Sequence, residues 1–195
     1  MTPVLDFRAV AASFGEGARA ERLSRDPVAW VEERLGEFLW SKQREIVRSV
    51  VENKRTMVAS CHSAGKSHLA SRVISWWLDT KDVSPTETRV VTTAPSWNQV
   101  ANVMWAYVKE VQDKLHMPGN ITAKATWTFP GYKAPTAYGR KPSDYDESSF
   151  QGIHATNVLV VVDEAGGVPE SIFTSVEAIT TNANARILAI ANPDD

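Results

Sequence analysis

A single cysteine, Cys61, is all that this chain of 195 residues contains. That excludes an internal disulfide and any zinc site built from cysteines, and it suits a reducing, cytosolic setting. No apolar run approaches the length needed to span a bilayer, and the N-terminus lacks the apolar core of a signal peptide, so no membrane partner is expected. Charge of one sign is also missing, since 21 basic and 23 acidic residues leave a formal net charge of −2. The whole-molecule field therefore does not favour nucleic acid, and any DNA contact has to come from a local patch, an oligomer or residues outside this chain. Neither an internal repeat nor a pronounced low-complexity tract is present. What is there, 43% hydrophobic and 23% charged residues, is the profile of one globular domain with a proper core. The seven tryptophans are scattered, which fits core and interface positions better than a stacking platform.

Residues 1–38 read as a helical lead-in, alanine- and arginine-rich up to Arg25. Asp26-Pro27 then starts a helix through Trp30 and Leu35 that Gly36 stops. The remainder, 39–195, alternates strands and helices. Ser41 is expected to cap a helix carrying Ile46 and Val50, and Thr56–Ser60 to form the first central strand. Val90–Thr93, Val158–Val162 and Ile187–Ala191 read as further strands, and Asn98–Leu115 as a long amphipathic helix. Short strands are expected around 121–125 and 126–129, followed by a polar loop over Tyr138–Ser149. Continuous β-branched runs such as Val158–Val162 indicate strands buried on both faces, so the class is α/β with a mostly parallel sheet.

Two segments carry chemistry. The first is Met57–Ser67, M-V-A-S-C-H-S-A-G-K-S, an apolar strand and a loop of small residues before Gly65-Lys66-Ser67 opens a helix. Backbone N–H groups and a helix N-terminus there make a concavity for phosphate, a lysine reaches the terminal phosphates, and Ser67 offers its hydroxyl to Mg²⁺. The pattern G-x-x-x-x-G-K-[ST] is incomplete, because Ser60 stands at the first glycine. The second is Asp163-Glu164 at the end of the buried run. Acidic pairs also occur at solvated strand ends, but phosphoryl transfer needs one acid for a metal and another to orient a water. Asp163 suits the first role and Glu164 the second. Gln43 presents an acceptor and a donor side by side, which can match adenine. Asn192, in Asn192-Pro193, starts a turn or flanks a γ-phosphate. His68, His116 and His154 show no metal-ligand spacing, and Lys109, Lys114, Lys124, Lys133 and Lys141 read as solvated surface ahead of a DNA-facing set.

W-S-K-Q-R-E, S-C-H-S-A-G-K-S, T-T-A-P-S-W-N-Q-V, Q-G-I-H-A-T-N-V-L-V-V-V-D-E-A and I-A-N-P follow one another in this order. Together, from Trp40 onward, they resemble the N-terminal ATPase half of the large terminase subunit, the DNA-packaging motor of tailed bacteriophages. The resemblance implies an additional-strand P-loop NTPase fold, with a mostly parallel central sheet flanked by helices, and the cofactors ATP and Mg²⁺. Gln43 then resembles the adenine-sensing glutamine, and Ser60, Cys61, His62, Ser63, Ala64, Gly65, Lys66 and Ser67 the phosphate loop. Ser67 and Asp163 (through water) take the metal, Glu164 is the catalytic glutamate, and Asn192 belongs to the coupling motif. Arg140 is the candidate for the arginine that such ring motors insert into a neighbouring subunit. Implied partners are double-stranded DNA, further copies in a ring on the portal, and the small terminase subunit, in the host cytoplasm. The family's C-terminal nuclease domain and the end of its ATPase domain are not among these residues, so a C-terminally truncated ATPase domain without nuclease activity is expected. Two other readings stay open: a helicase-like translocase, with Gly166 and Asn192-Pro193 against it, and a nucleotide-binding assembly module without turnover.

Overall fold

A computed structural model describes residues 7–61, 63–140 and 154–192, with side chains from residue 15 onward. The lead-in is helical. Helix α1 (Phe7–Arg25) is followed by α2 (Pro27–Trp30), which continues as a π-helical stretch over Val31–Leu35 and ends at Gly36 in a left-handed conformation. Asp26 caps α2 by accepting a hydrogen bond from the Ala29 amide, as its place before Pro27 predicts. Trp30, Val31, Leu35 and Leu39 are buried in the same core cluster as the central helices, so the lead-in packs onto the sheet-bearing part through a shared core.

Helix α3 (Ser41–Glu52) leads into strand β1 (Arg55–Ala59), and helix α4 (Lys66–Thr80) follows the phosphate-loop segment. Trp40, not Ser41, is the N-cap residue of α3, and the Gln43 side chain reaches back to accept a hydrogen bond from the Trp40 amide. Strand β2 (Thr88–Thr93) precedes a second π-helical stretch, Gln99–Met104, which runs into α5 (Trp105–Leu115). Then come β3 (Asn120–Thr122), β4 (Thr126–Thr128), β5 (Ala137–Arg140), β6 (Asn157–Val162), a short 3-10 turn (Ala165–Gly167), α6 (Glu170–Ile179) and β7 (Ala185–Ala191). Strand β5 corrects the sequence expectation: Tyr138, Gly139 and Arg140 belong to a strand rather than to a polar loop. Pairing with β2 decides this, along with the fit of Gly139, where an added Cβ would stand 2.5 Å from Val100 Cγ1. A side chain cannot be accommodated under the Gln99–Met104 segment, so glycine serves packing there in spite of its low strand preference.

The seven strands form one sheet in the order β1-β7-β6-β2-β5-β4-β3. Strands β1, β7, β6, β2 and β5 are mutually parallel, and β4 and β3 extend the sheet antiparallel. Strand β7, last in sequence, lies between β1 and β6, the additional-strand arrangement that the resemblance implied. All five parallel strands present their C-terminal ends along one edge, where open α/β sheets bind ligands. Helices cover both faces, with Leu159 and Val161 of β6 in one core cluster and Val158, Val160 and Val162 in the other.

Helix α4 is buried from Leu69 to Leu78, and it carries Arg72, whose side chain is 1% exposed. Arg72 donates to both carboxylate oxygens of Glu37 (2.9 and 3.1 Å) and to Glu110 (3.0 Å), while Lys114 donates to Glu37 at 2.9 Å. A guanidinium so far from water is tolerated only because these acceptors surround it. Burial pushes the Glu37 carboxyl up, but the hydrogen bonds from Arg72 and Lys114 and their charges outweigh it and bring the group down to about 2 from 4.5. A carboxylate depressed in the folded state contributes stability above its unfolded pKa and loses it as pH falls towards the folded value. Stability against thermal unfolding is therefore expected to fall progressively from about pH 4.5 to about pH 2. A Glu37→Ala variant should lack that component and be less stable by about 3–5 kcal/mol at neutral pH, because it leaves Arg72 underpaired. Unfolding curves of the two proteins across this range check both statements.

Candidate functional site

The phosphate-loop segment begins where β1 meets β7: the Ser60 amide donates to the Ala191 carbonyl at 3.1 Å. Positive φ falls at Ser63 (62°) and at Gly65 (75°), which is the N-cap of α4, and Ser60 is outside the positive-φ set. That is the physical reason serine stands where the usual pattern has glycine: the loop turns further along. Gly65, at φ 75°, holds a conformation that side chains rarely adopt, so glycine there serves the turn. His62 lies outside the described residues. Cys61 is exposed.

Lys66 opens α4. Its ammonium donates to the carbonyls of Ser60 (2.7 Å) and Cys61 (2.9 Å) and to Asn192 Oδ1 (2.5 Å). Ser67, the next residue, donates its hydroxyl to Asp163 Oδ2 at 2.7 Å. Asp163 is 4% exposed at the end of β6, where its amide donates to the Thr93 carbonyl at 2.9 Å and its Oδ1 accepts from the Glu164 amide at 3.1 Å. Glu164 follows in a left-handed conformation (φ 48°, ψ 51°). Such a conformation is costly for a residue with a side chain and collects at functional sites. The turn behind it is held by close packing, for a Cβ on Gly167 would stand 2.8 Å from Pro95 Cγ.

Lys66, Ser67, Asp163, Glu164 and Asn192 thus line one cavity of about 200 Å³ at the C-terminal edge of the sheet. The strand order explains the convergence: β7 brings Asn192 between the lysine of β1's loop and the acids of β6. A hydroxyl and a buried carboxylate side by side suit a cation that keeps most of its water and shares a phosphate ligand, as Mg²⁺ does. Among the described residues no group of three or more His, Cys, Asp or Glu gathers elsewhere as a metal cluster. His68 and Tyr107 stand at the rim, ring centroids 5.6 Å apart. Burial holds the His68 imidazole below its usual value, with the charge of Arg72 acting in the same direction and Glu37 and Glu110 opposing.

A second cavity of about 480 Å³ shares Ala64, Gly65 and Lys66 with the first and opens between α3 and β1, lined by Trp40, Gln43 and Ile46 among others. It is the more apolar of the two, as a base needs beside a polar phosphate site. Gln43 faces it with its oxygen already accepting from Trp40, so the amide nitrogen is its better-placed group for a ligand.

Sequence reasoning missed Gln99. Its amide nitrogen donates to Glu164 Oε2, and its oxygen accepts from the Ser96 amide (3.0 Å) and hydroxyl (2.8 Å). The signal present was the segment T-T-A-P-S-W-N-Q-V itself, read only for its resemblance. Arg140 is not brought to the cavity. It is exposed at the end of β5, opposite Thr93 of β2, with its guanidinium 5.3 Å from the ring centre of Tyr138. Strand β2 separates β5 from β6 and Glu164. Of the lysines considered for DNA, Lys109 pairs with Asp113 and Lys114 with Glu37, while Lys141 lies outside the described residues. His116 caps the C-terminus of α5 in a left-handed conformation, and His154 is exposed. No helix among the described residues is long and apolar enough to cross a membrane.

No protein-family model and no curated protein matches the sequence. Solved structures do match. The large terminase of bacteriophage HK97 is similar at 16% identity and a TM-score of 0.63 over 86% of this chain. The ATPase domain of the Thermus phage P74-26 large terminase matches at 22% identity and a TM-score of 0.59 over 85%. The large terminase of the thermophilic bacteriophage D6E in complex with ADP matches at 18% identity and a TM-score of 0.59 over 78%. The chain spans 37% of the HK97 protein, 38% of the D6E protein and 69% of the P74-26 domain. With strand order, phosphate-loop helix and acidic strand end all in place, this protein has the P-loop α/β fold of the ATPase domains of bacteriophage large terminases.

Proposed function

We propose that this chain is the ATPase part of a viral DNA-packaging motor, hydrolysing ATP with Mg²⁺ to move double-stranded DNA into a procapsid in the host cytoplasm. The observation that carries it is the convergence of Lys66, Ser67, Asp163, Glu164 and Asn192 on one cavity beside the more apolar cleft at Gln43. The fold likeness to large terminases, one of them in complex with ADP, supports the same reading. In it, residues 39–195 form the ATPase unit, residues 1–38 buttress it, and the ring on the portal, the small terminase subunit and a nuclease domain belong to the wider machine.

The mechanism follows from the side chains. The base enters the cleft at Gln43, and the triphosphate runs along residues Ser60–Ser67 to the N-terminus of α4. Lys66 holds the γ-phosphate end, and the Ser67 hydroxyl and Asp163 carboxylate are the groups that would hold Mg²⁺, Asp163 through water. Held there, Mg²⁺ would supply neutralisation of the phosphate charge. Glu164 orients a water for in-line attack and takes its proton, with Gln99 fixing the carboxylate from the β2 side. Arg140, exposed at the end of β5 and separated from β6 by β2, is the candidate to serve a neighbouring copy's site.

A second reading, a nucleotide-binding assembly module without turnover, is favoured by one observation. Lys66 and Glu164 are both held by partners within the chain, Asn192 and Gln99. Phosphate release from Mg-ATP, measured against protein concentration, separates the two. A steep dependence that disappears in Arg140→Ala, and returns when Arg140→Ala is mixed with Glu164→Gln, is the result expected of a ring ATPase. Silence at every concentration, with nucleotide bound, would establish the module instead.

A further inference from the structure

The Lys66 ammonium has three N–H donors. Within this chain each has an acceptor: the Ser60 carbonyl at 2.7 Å, the Cys61 carbonyl at 2.9 Å and Asn192 Oδ1 at 2.5 Å. A phosphate that engages Lys66 has to take over at least one of these bonds. The two carbonyls are backbone groups of a segment whose start is pinned to β7 by the bond from the Ser60 amide to the Ala191 carbonyl. Asn192 Oδ1 is the acceptor on a side chain, and rotation about its torsions releases it without moving the loop. A charged phosphate oxygen is also the stronger partner for an ammonium than a neutral amide. The exchange is downhill, yet each nucleotide must break a bond that already exists.

Resting on the nucleotide reading above, we infer that Asn192 is an intramolecular competitor for Lys66. It holds the ammonium until a β- or γ-phosphate displaces it, and it lowers nucleotide affinity by that competition. This role is opposite in sign to that of a residue that simply contacts nucleotide. Removing a ligand contact weakens binding, whereas removing a competitor strengthens it.

The test is calorimetric titration of ATPγS into the chain and into Asn192→Ala and Asn192→Ser, with thermal unfolding recorded for each. Serine keeps a polar group on β7 but is too short to reach Lys66, so it decides the matter if the alanine variant does not fold. Expected is a Kd lowered by about tenfold to a hundredfold in a folded variant, the scale of one hydrogen bond to a charged group. An unchanged or raised Kd in a folded variant overturns the competitor role while leaving the nucleotide reading intact. No binding by the unmodified chain overturns both.

Discussion

Glu164→Gln is expected to bind ATPγS with the affinity of the unmodified chain and to hydrolyse ATP about 10²–10⁴-fold more slowly, the usual contribution of a positioned general base. The amide keeps the size of the carboxylate and can still accept the hydrogen bond from Gln99, so the turn at positive φ stays intact while proton acceptance is lost. Lys66→Ala is expected to fail at the preceding step, losing nucleotide binding itself, because among the described residues it is the only ammonium lining the cavity with Ser67 and Asp163. Titration calorimetry and phosphate release, run on both variants, read the two steps separately. Equal loss of binding in the two variants would remove the assigned division of labour, since Glu164 would then be a ligand for the nucleotide and not a base.

Gln99→Ala is expected to lower kcat about tenfold to a hundredfold with KM unchanged. Gln99 lines neither the cavity at Lys66 nor the cleft at Gln43; it donates to Glu164 Oε2 while Ser96 donates twice to its oxygen. Without that clamp the carboxylate keeps its chemistry but loses its placement, and small displacements of a catalytic group cost rates of this order. Gln99→Glu, which preserves length and sets a second carboxylate against Glu164, is expected to be slower still. A merely structural role would lower stability and leave the ratio of kcat to KM effects unpatterned. A Gln99→Ala protein with the full kcat would take Gln99 out of the mechanism.

Where the sequence was legible, the local signals agreed with one another. Val158–Val162 is apolar and β-branched without interruption, and it forms the strand buried on both faces that such a run requires. Gly65-Lys66-Ser67 after a strand opened a helix, and Asp26-Pro27 started another. It failed where tertiary contacts overrode local preference. Tyr138-Gly139-Arg140 has a strand-weakening glycine at its centre and runs on into a polar stretch, yet β2 pairs with it and Val100 fills the space that glycine leaves. Ser41 looked like a cap, but Trp40 takes that position because the Gln43 side chain closes on its amide.

The amino-acid order alone determined which chemical groups are available and on which kind of element each rides: a lysine opening a helix after a strand, two acids ending another strand, an asparagine ending a third. Those are near-neighbour properties, set by periodicity and turn chemistry within a few residues. Only the tertiary structure decided which groups meet. Placing β7 between β1 and β6 is a matter of long-range packing, and it alone sets Asn192 against Lys66; the packing of the Gln99–Met104 segment over the sheet likewise sets Gln99 against Glu164. No pattern within a window of sequence encodes such contacts, because their energy is gained only once the distant strands are side by side.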